Sequence, residues 1–94
     1  MQSEQTQPDI YFEIGEKYLI RTVTNYLTGQ VVKMSQDGLV LAKAAWIADT
    51  GRFSNAIAEG KLNEVEPVTC QVFVNRSAIV DAFKWGHPLP REQK

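Results

Sequence analysis

One cysteine, Cys70, and one histidine, His87, are all that the chain has of either residue. No disulfide can therefore form within it, and the four nitrogen or sulfur ligands of a structural zinc site are missing. Ten basic residues against eleven acidic ones leave a formal charge of -1, without the broad positive field that draws a protein onto nucleic acid. Nowhere do about eighteen apolar residues follow one another, as a membrane-spanning helix would need. The opening MQSEQTQPD lacks the apolar core of a secretory signal, so a cytoplasmic protein away from the membrane is expected. An unpaired cysteine agrees with a reducing compartment. No glycine-rich phosphate loop is present, so no cofactor is expected. No spacing sets a nucleophile beside a base: Asp49 and Asp81 are not placed together, and His87 stands in a proline-rich tail as a spectator. An enzyme is not expected.

What the sequence does have is alternation. In KYLIRTVTNYLTGQVVKMSQDGLVLAKAAWI, residues 17–47, β-branched and aromatic residues recur with a period near two, broken at Thr24–Asn25 and at Gln36–Asp37–Gly38. This predicts three antiparallel strands, Lys17–Val23, Tyr26–Ser35 and Leu39–Ile47, in a meander. Asp37 can hydrogen-bond its own backbone and Gly38 accepts a positive φ, which suits a tight hairpin. Gly29, inside the second strand, marks strong bending or a close approach of another backbone.

After the third strand the pattern changes. Asp49, Thr50 and Ser54 are all suitable N-caps for RFSNAIAEGKL, and Gly60 is a natural C-cap. A helix of about two turns is expected, with Phe53, Ile57 and Leu62 on its apolar face. Asn63–Val68, with Glu64, Glu66 and Pro67, reads as a connector. Two further strands follow, Thr69–Asn75 and Ala78–Phe83, with Cys70, Val72 and Val74 facing one way and Gln71, Phe73 and Asn75 the other. Cys70 is expected as a small buried hydrophobe. Trp46 is a core or interface residue by this reading, or else a stacking surface for a ligand.

The domain organisation is one domain over residues 10–85, carrying the helical insertion at about 49–67, between a flexible terminus 1–9 and a flexible tail 86–94. Within it, Ile10, Tyr11, Phe12 and Ile14 form an apolar cluster that suggests a docked segment. So small a domain buries only about two thirds of its unfolded surface. Chains of this kind often gain burial by assembling.

Strands arranged three then two, with a bent second strand, predict an all-β, five-stranded, strongly bent small barrel with a short helical insertion after the third strand. YLTGQVVKMSQDGLVL, residues 26–41, resembles the first motif of the Sm-like (LSm/Hfq) family, with Gly29 at its glycine and Asp37 at its turn. VFVNRSAIVDA, residues 72–82, resembles the second motif. The resemblance spans about Lys17–Phe83, interrupted by the insertion, as in similar small proteins of phages and prophages. Two departures stand out: no Asn follows Asp37, and the family's Arg–Gly is Arg76–Ser77 here. The resemblance implies self-association into a closed ring of about five to seven subunits. It also implies single-stranded RNA at the pore, contacted by Asp37, Asn75 and Arg76. Arg76 can equally pair with Asp81. The alternatives are a structural or protein-binding ring that holds no nucleic acid, and a small SH3-like peptide-binding barrel.

Overall fold

The computed structural model describes residues 10–94, and the expectation about residues 1–9 lies outside them. The meander is present: β1 (Lys17–Thr22), β2 (Tyr26–Met34) and β3 (Gly38–Asp49) run antiparallel in sequence order. A helix, α1 (Phe53–Glu59), leads into β4 (Glu64–Pro67) and β5 (Val72–Asn75). A single 3-10 turn, Arg76–Ala78, then passes the chain to β6 (Ile79–Lys84).

The sheet has six strands where five were expected, and it is open. Its order is β4-β3-β2-β1-β6, with β5 also on β3. β3 is long enough to serve two partners on one side. Gly38–Leu41 pairs with β5, and Ala45–Asp49 pairs with β4. A closed barrel needs a ladder from β6 back to β5 or β4, and the sheet contains none. The 3-10 turn accounts for this, because its helical backbone carries the chain out of β5 without forming a hairpin with β6. The small closed barrel is thus corrected to an open six-stranded sheet with one inserted helix. The Sm-like and SH3-like barrels required that closure, and the ring, with RNA at its pore or without nucleic acid, was implied by the Sm-like resemblance and loses that basis with it.

The sheet bends where the ladder between β2 and β3 slips. Thr28 faces Ala45 and Gln30 faces Ala42, so β3 spends one residue more than β2 across this step. Lys43 takes up the extra residue with a φ of 54°, the only positive φ outside glycine among the described residues. A bulge of this kind kinks its strand and raises the local twist. Opposite it, Gly29 lies so close to β3 that a Cβ there would come within 2.9 Å of the Leu41 Cβ. The neighbour that crowds this glycine is the Leu41 side chain and not another backbone, while the slip in the ladder places it at the bend, the other meaning expected of it. Gly38 differs from expectation. It has no positive φ, and its missing side chain makes room for the Val74 carbonyl and the Phe73 ring on β5. The turn before it is tied by Ser35, whose Oγ accepts from the Asp37 and Gly38 amides, and not by the Asp37 carboxylate.

Bending lets the sheet bury both faces. Tyr18, Leu19 and Ile20 are consecutive on β1 and all fully buried. Alternate residues of a strand point to opposite faces, so two separate cores must cover them. One gathers Tyr18, Ile20, Leu27, Val31, Leu39, Leu41 and Val74 under Phe12. The Tyr18 hydroxyl accepts from the Glu13 amide at 2.8 Å and donates to the Tyr11 carbonyl at 3.1 Å, which docks the segment before β1. Desolvation, the largest effect on this hydroxyl, pushes its pKa up and keeps it a donor.

The second core joins Leu19, Ala45, Ile47, Ala56, Leu62, Val65 and Trp85, with Phe53, Ile57 and Leu89 against it. A seven-residue helix is too short to persist alone, so α1 exists because this face holds it. Gly60 ends it as expected, at a φ of 75°. Its start differs: Arg52 occupies the N-cap without a side-chain bond, while Asp49 Oδ1 accepts from the Gly51 amide in the preceding turn. Two expectations fail further on. The connector at 63–68 contains β4, held by the buried Val65, and Cys70 is exposed in the loop before β5.

Gly29→Ala is expected to cost about 1–3 kcal/mol, since a methyl group would be forced against Leu41. Thr28→Val should raise stability by up to ~1 kcal/mol, because the fully buried Thr28 Oγ1 has no hydrogen-bond partner among the described residues. Urea unfolding of both variants tests these signs.

Candidate functional site

The residues expected to hold RNA do come together, at the corner where the β2–β3 turn meets the end of β5. Asn75 faces Gly38 across the ladder, and the Arg76 amide donates to the Asp37 carbonyl at 2.9 Å. Part of their hydrogen-bonding capacity goes to the fold. Asn75 Oδ1 accepts from the Ser77 amide at 2.9 Å and the Ser77 hydroxyl at 2.8 Å, which caps the 3-10 turn. Arg76 Nε donates to the Ser35 carbonyl at 2.8 Å, and the guanidinium stands 6.0 Å from the centre of the Phe12 ring. These contacts make the corner a clasp between two loops. Asp81 is not its partner; that carboxylate takes Arg21 instead, through bonds of 3.0 and 2.6 Å.

A larger concavity lies at the other end of β2. A groove of about 440 Å³ is lined by Thr24, Asn25, Tyr26, Trp46, Ile47, Ala48 and Glu66. β3 supplies Trp46, which pairs with Leu27 on one side and Glu66 on the other. Ile47, the next residue, points to the second core and is buried, so Trp46 must face away from it. The Trp46 ring ends 55% exposed, whereas Trp85 is 3% exposed in the second core. The turn that forms the rim is tightly bonded. Thr22 Oγ1 donates to the Asn25 carbonyl at 2.9 Å and accepts from the Asn25 amide at 3.1 Å. Asn25 Nδ2 in turn donates to the Tyr26 carbonyl at 3.2 Å. The groove therefore presents a broad apolar wall, a rigid polar rim and one carboxylate.

Tyr26 also borders a second, smaller cleft of about 210 Å³ with Arg21, Phe53, Asp81 and Phe83. Phe53 packs on Phe83 with centroids 5.2 Å apart, so the helix forms one wall of this cleft and β6 another. Phe73 and Val80 add further exposed apolar surface on β5 and β6. Trp46 was legible as a core, interface or stacking residue. Its groove was not, because β4 forms one side of it and that segment reads as a connector.

Among the described residues no group of three or more His, Cys, Asp and Glu could hold a metal ion. No helix of the described residues is long and apolar enough to cross a membrane. The chain matches no protein-family model, no curated protein and no solved structure. The kinship expected with Sm-like proteins, those of phages and prophages included, is therefore without support from sequence or structure.

The Arg21–Asp81 pair gives the fold a small acid sensitivity. The hydrogen bond from Arg21 holds the Asp81 carboxyl below its ordinary value of 3.8. A depressed pKa means stability that is present above the unfolded value and lost as the pH falls through the folded one. Both side chains are more than a third exposed, so solvent screens the pair and the loss below about pH 4 should be small. Asp81→Asn should remove that part of the acid limb, as read from urea midpoints between neutral and acid pH.

Proposed function

We propose that this protein is a non-catalytic binding domain that docks a partner protein at the Trp46 groove. The observation that carries the reading is the half-exposed Trp46 on a rigid strand, in a groove of about 440 Å³. Tryptophan is among the residues most enriched where binding energy concentrates, since it offers a large apolar face with few torsions to freeze. Pairing on both sides by β2 and β4 holds the ring's backbone in place before any partner arrives. Little ordering cost then remains to be met on this side of the contact.

Glu66 adds a sign to the specificity. A carboxylate beside an apolar wall favours an apolar side chain with a basic neighbour, and disfavours acidic segments. The exposed thiol of Cys70 suits a reducing compartment, so we place the protein in the cytoplasm.

A selection of displayed random segments against the full chain, counter-selected on Trp46→Ala, tests the proposal. Enriched segments should carry an apolar residue next to Lys or Arg. They should lose about tenfold or more in affinity on Trp46→Ala, and several-fold on Glu66→Gln. The melting temperature of Trp46→Ala should change little, because the ring is half exposed. Binders that ignore both substitutions would refute the reading.

A further inference from the structure

The basic residues look scattered in the sequence, yet the fold brings three of them together in a cleft that shares no lining residue with the Trp46 groove. Lys17 opens β1 and pairs with Gln30 on β2, which pairs in turn with Ala42 on β3. Lys43 is the bulged residue next along that strand. Arg91 arrives from the chain after β6, with Leu89 beside it. Together Lys17, Gln30, Lys43, Leu89 and Arg91 line a cleft of about 280 Å³ at the open end of the β1–β2 hairpin. No acidic residue is among them. The ion pairs among the described residues, Arg21–Asp81 and Glu59–Lys61, involve none of the three cations.

From this arrangement we infer an oxyanion-binding cleft for a dianionic phosphoryl group, the phosphomonoester class, with Lys17, Lys43 and Arg91 as charge partners and Gln30 as a neutral donor.

Lys17, Gln30 and Arg91 are held before any ligand enters, while Lys43 is exposed. Lys17 Nζ donates to the His87 carbonyl at 2.7 Å. Arg91 donates from Nη1 to the Ala44 carbonyl at 2.9 Å and from Nη2 to the Val68 carbonyl at 3.2 Å. Gln30 Nε2 donates to the Gly15 carbonyl at 3.0 Å. An ammonium has three donors and a guanidinium five, so these anchors leave donors over in each cation. Fixed donors with uncompensated positive charge suit a doubly charged oxyanion better than a single carboxylate.

Lys43 adds an independent observation. A left-handed backbone is least costly for glycine and mildly tolerated by asparagine, and here a lysine carries it. Strain of this kind collects at functional positions. The bulge lifts the Lys43 side chain out of the strand's alternation and onto the rim of the cleft. Leu89 offers an apolar wall for an organic group attached to the phosphoryl.

The test is a titration of the full chain, followed by amide chemical shifts, with inorganic phosphate in one arm and glycerol 3-phosphate in the other at constant ionic strength. Saturable shifts centred on Lys17, Gln30, Lys43 and Arg91 are expected in both arms. Tighter binding of the ester assigns an organic phosphate, and equal binding assigns free phosphate; either upholds the cleft. Lys43→Gly should weaken binding at least tenfold while the protein melts at or above the parent temperature, since glycine relieves the positive φ. Lys43→Asn gives a second variant of the same sign. Shifts that never saturate, or that spread equally over Lys33, Lys61 and Lys84, would overturn the proposal. So would unchanged affinity in both Lys43 variants, or an oligonucleotide that outcompetes the ester across a wider surface.

Discussion

Twelve residues of one strand, Gly38–Asp49, carry the hydrogen bonds on which the sheet depends. β2 runs along one side of them, and the other side is divided between β5 near the start and β4 near the end. Buried backbone amides and carbonyls must be paired, and the two short strands, four residues each, find their ladder partners in β3, with Lys94 exchanging a further pair of backbone bonds with Val65 on the outer side of β4. Between the two halves lies the bulge at Lys43, opposite the crowded Gly29. The kink there lets one strand belong to two differently oriented parts of the same sheet. Both concavities of interest border this strand, one beyond the bulge at Trp46 and the other at the bulge itself.

The two cores follow from the same geometry. A flat sheet of this size, with one short helix, would leave one face wet. Here the segment around Phe12 covers one face, while α1, Trp85 and Leu89 cover the other. Tyr18 shows how local the bargain is, since a single buried hydroxyl ties down two backbone groups of the segment that covers it. His87 has a comparable part on the far side, with Nε2 2.8 Å from the Ile57 carbonyl and its ring against Trp85.

Alternation made β1, β2, β3 and the run containing β6 legible, and the left-handed glycine made the end of α1 legible. These features depend on residues close together in sequence. β4 was hidden because Val65 is its only buried residue, with glutamates on both sides and a proline at the end. Whether the sheet closes was hidden more deeply. It turns on the three residues Arg76–Ala78, whose helical backbone no alternation announces. Asp37, Asn75 and Arg76 meet at one corner, where bonds of each go to the loop and the turn. The cleft with Lys17, Lys43 and Arg91 could not have been read from spacing, since its cations are 26 and 48 residues apart along the chain.

Cys70 has a practical bearing on any study of this protein in solution. It is the one thiol, it is exposed, and it stands in the loop that links β4 to β5. Air oxidation can therefore couple two molecules through a single covalent link, so a dimer seen without reductant says nothing about affinity between folded surfaces. The same thiol lets a fluorophore or spin probe be attached at one defined position without altering the sequence.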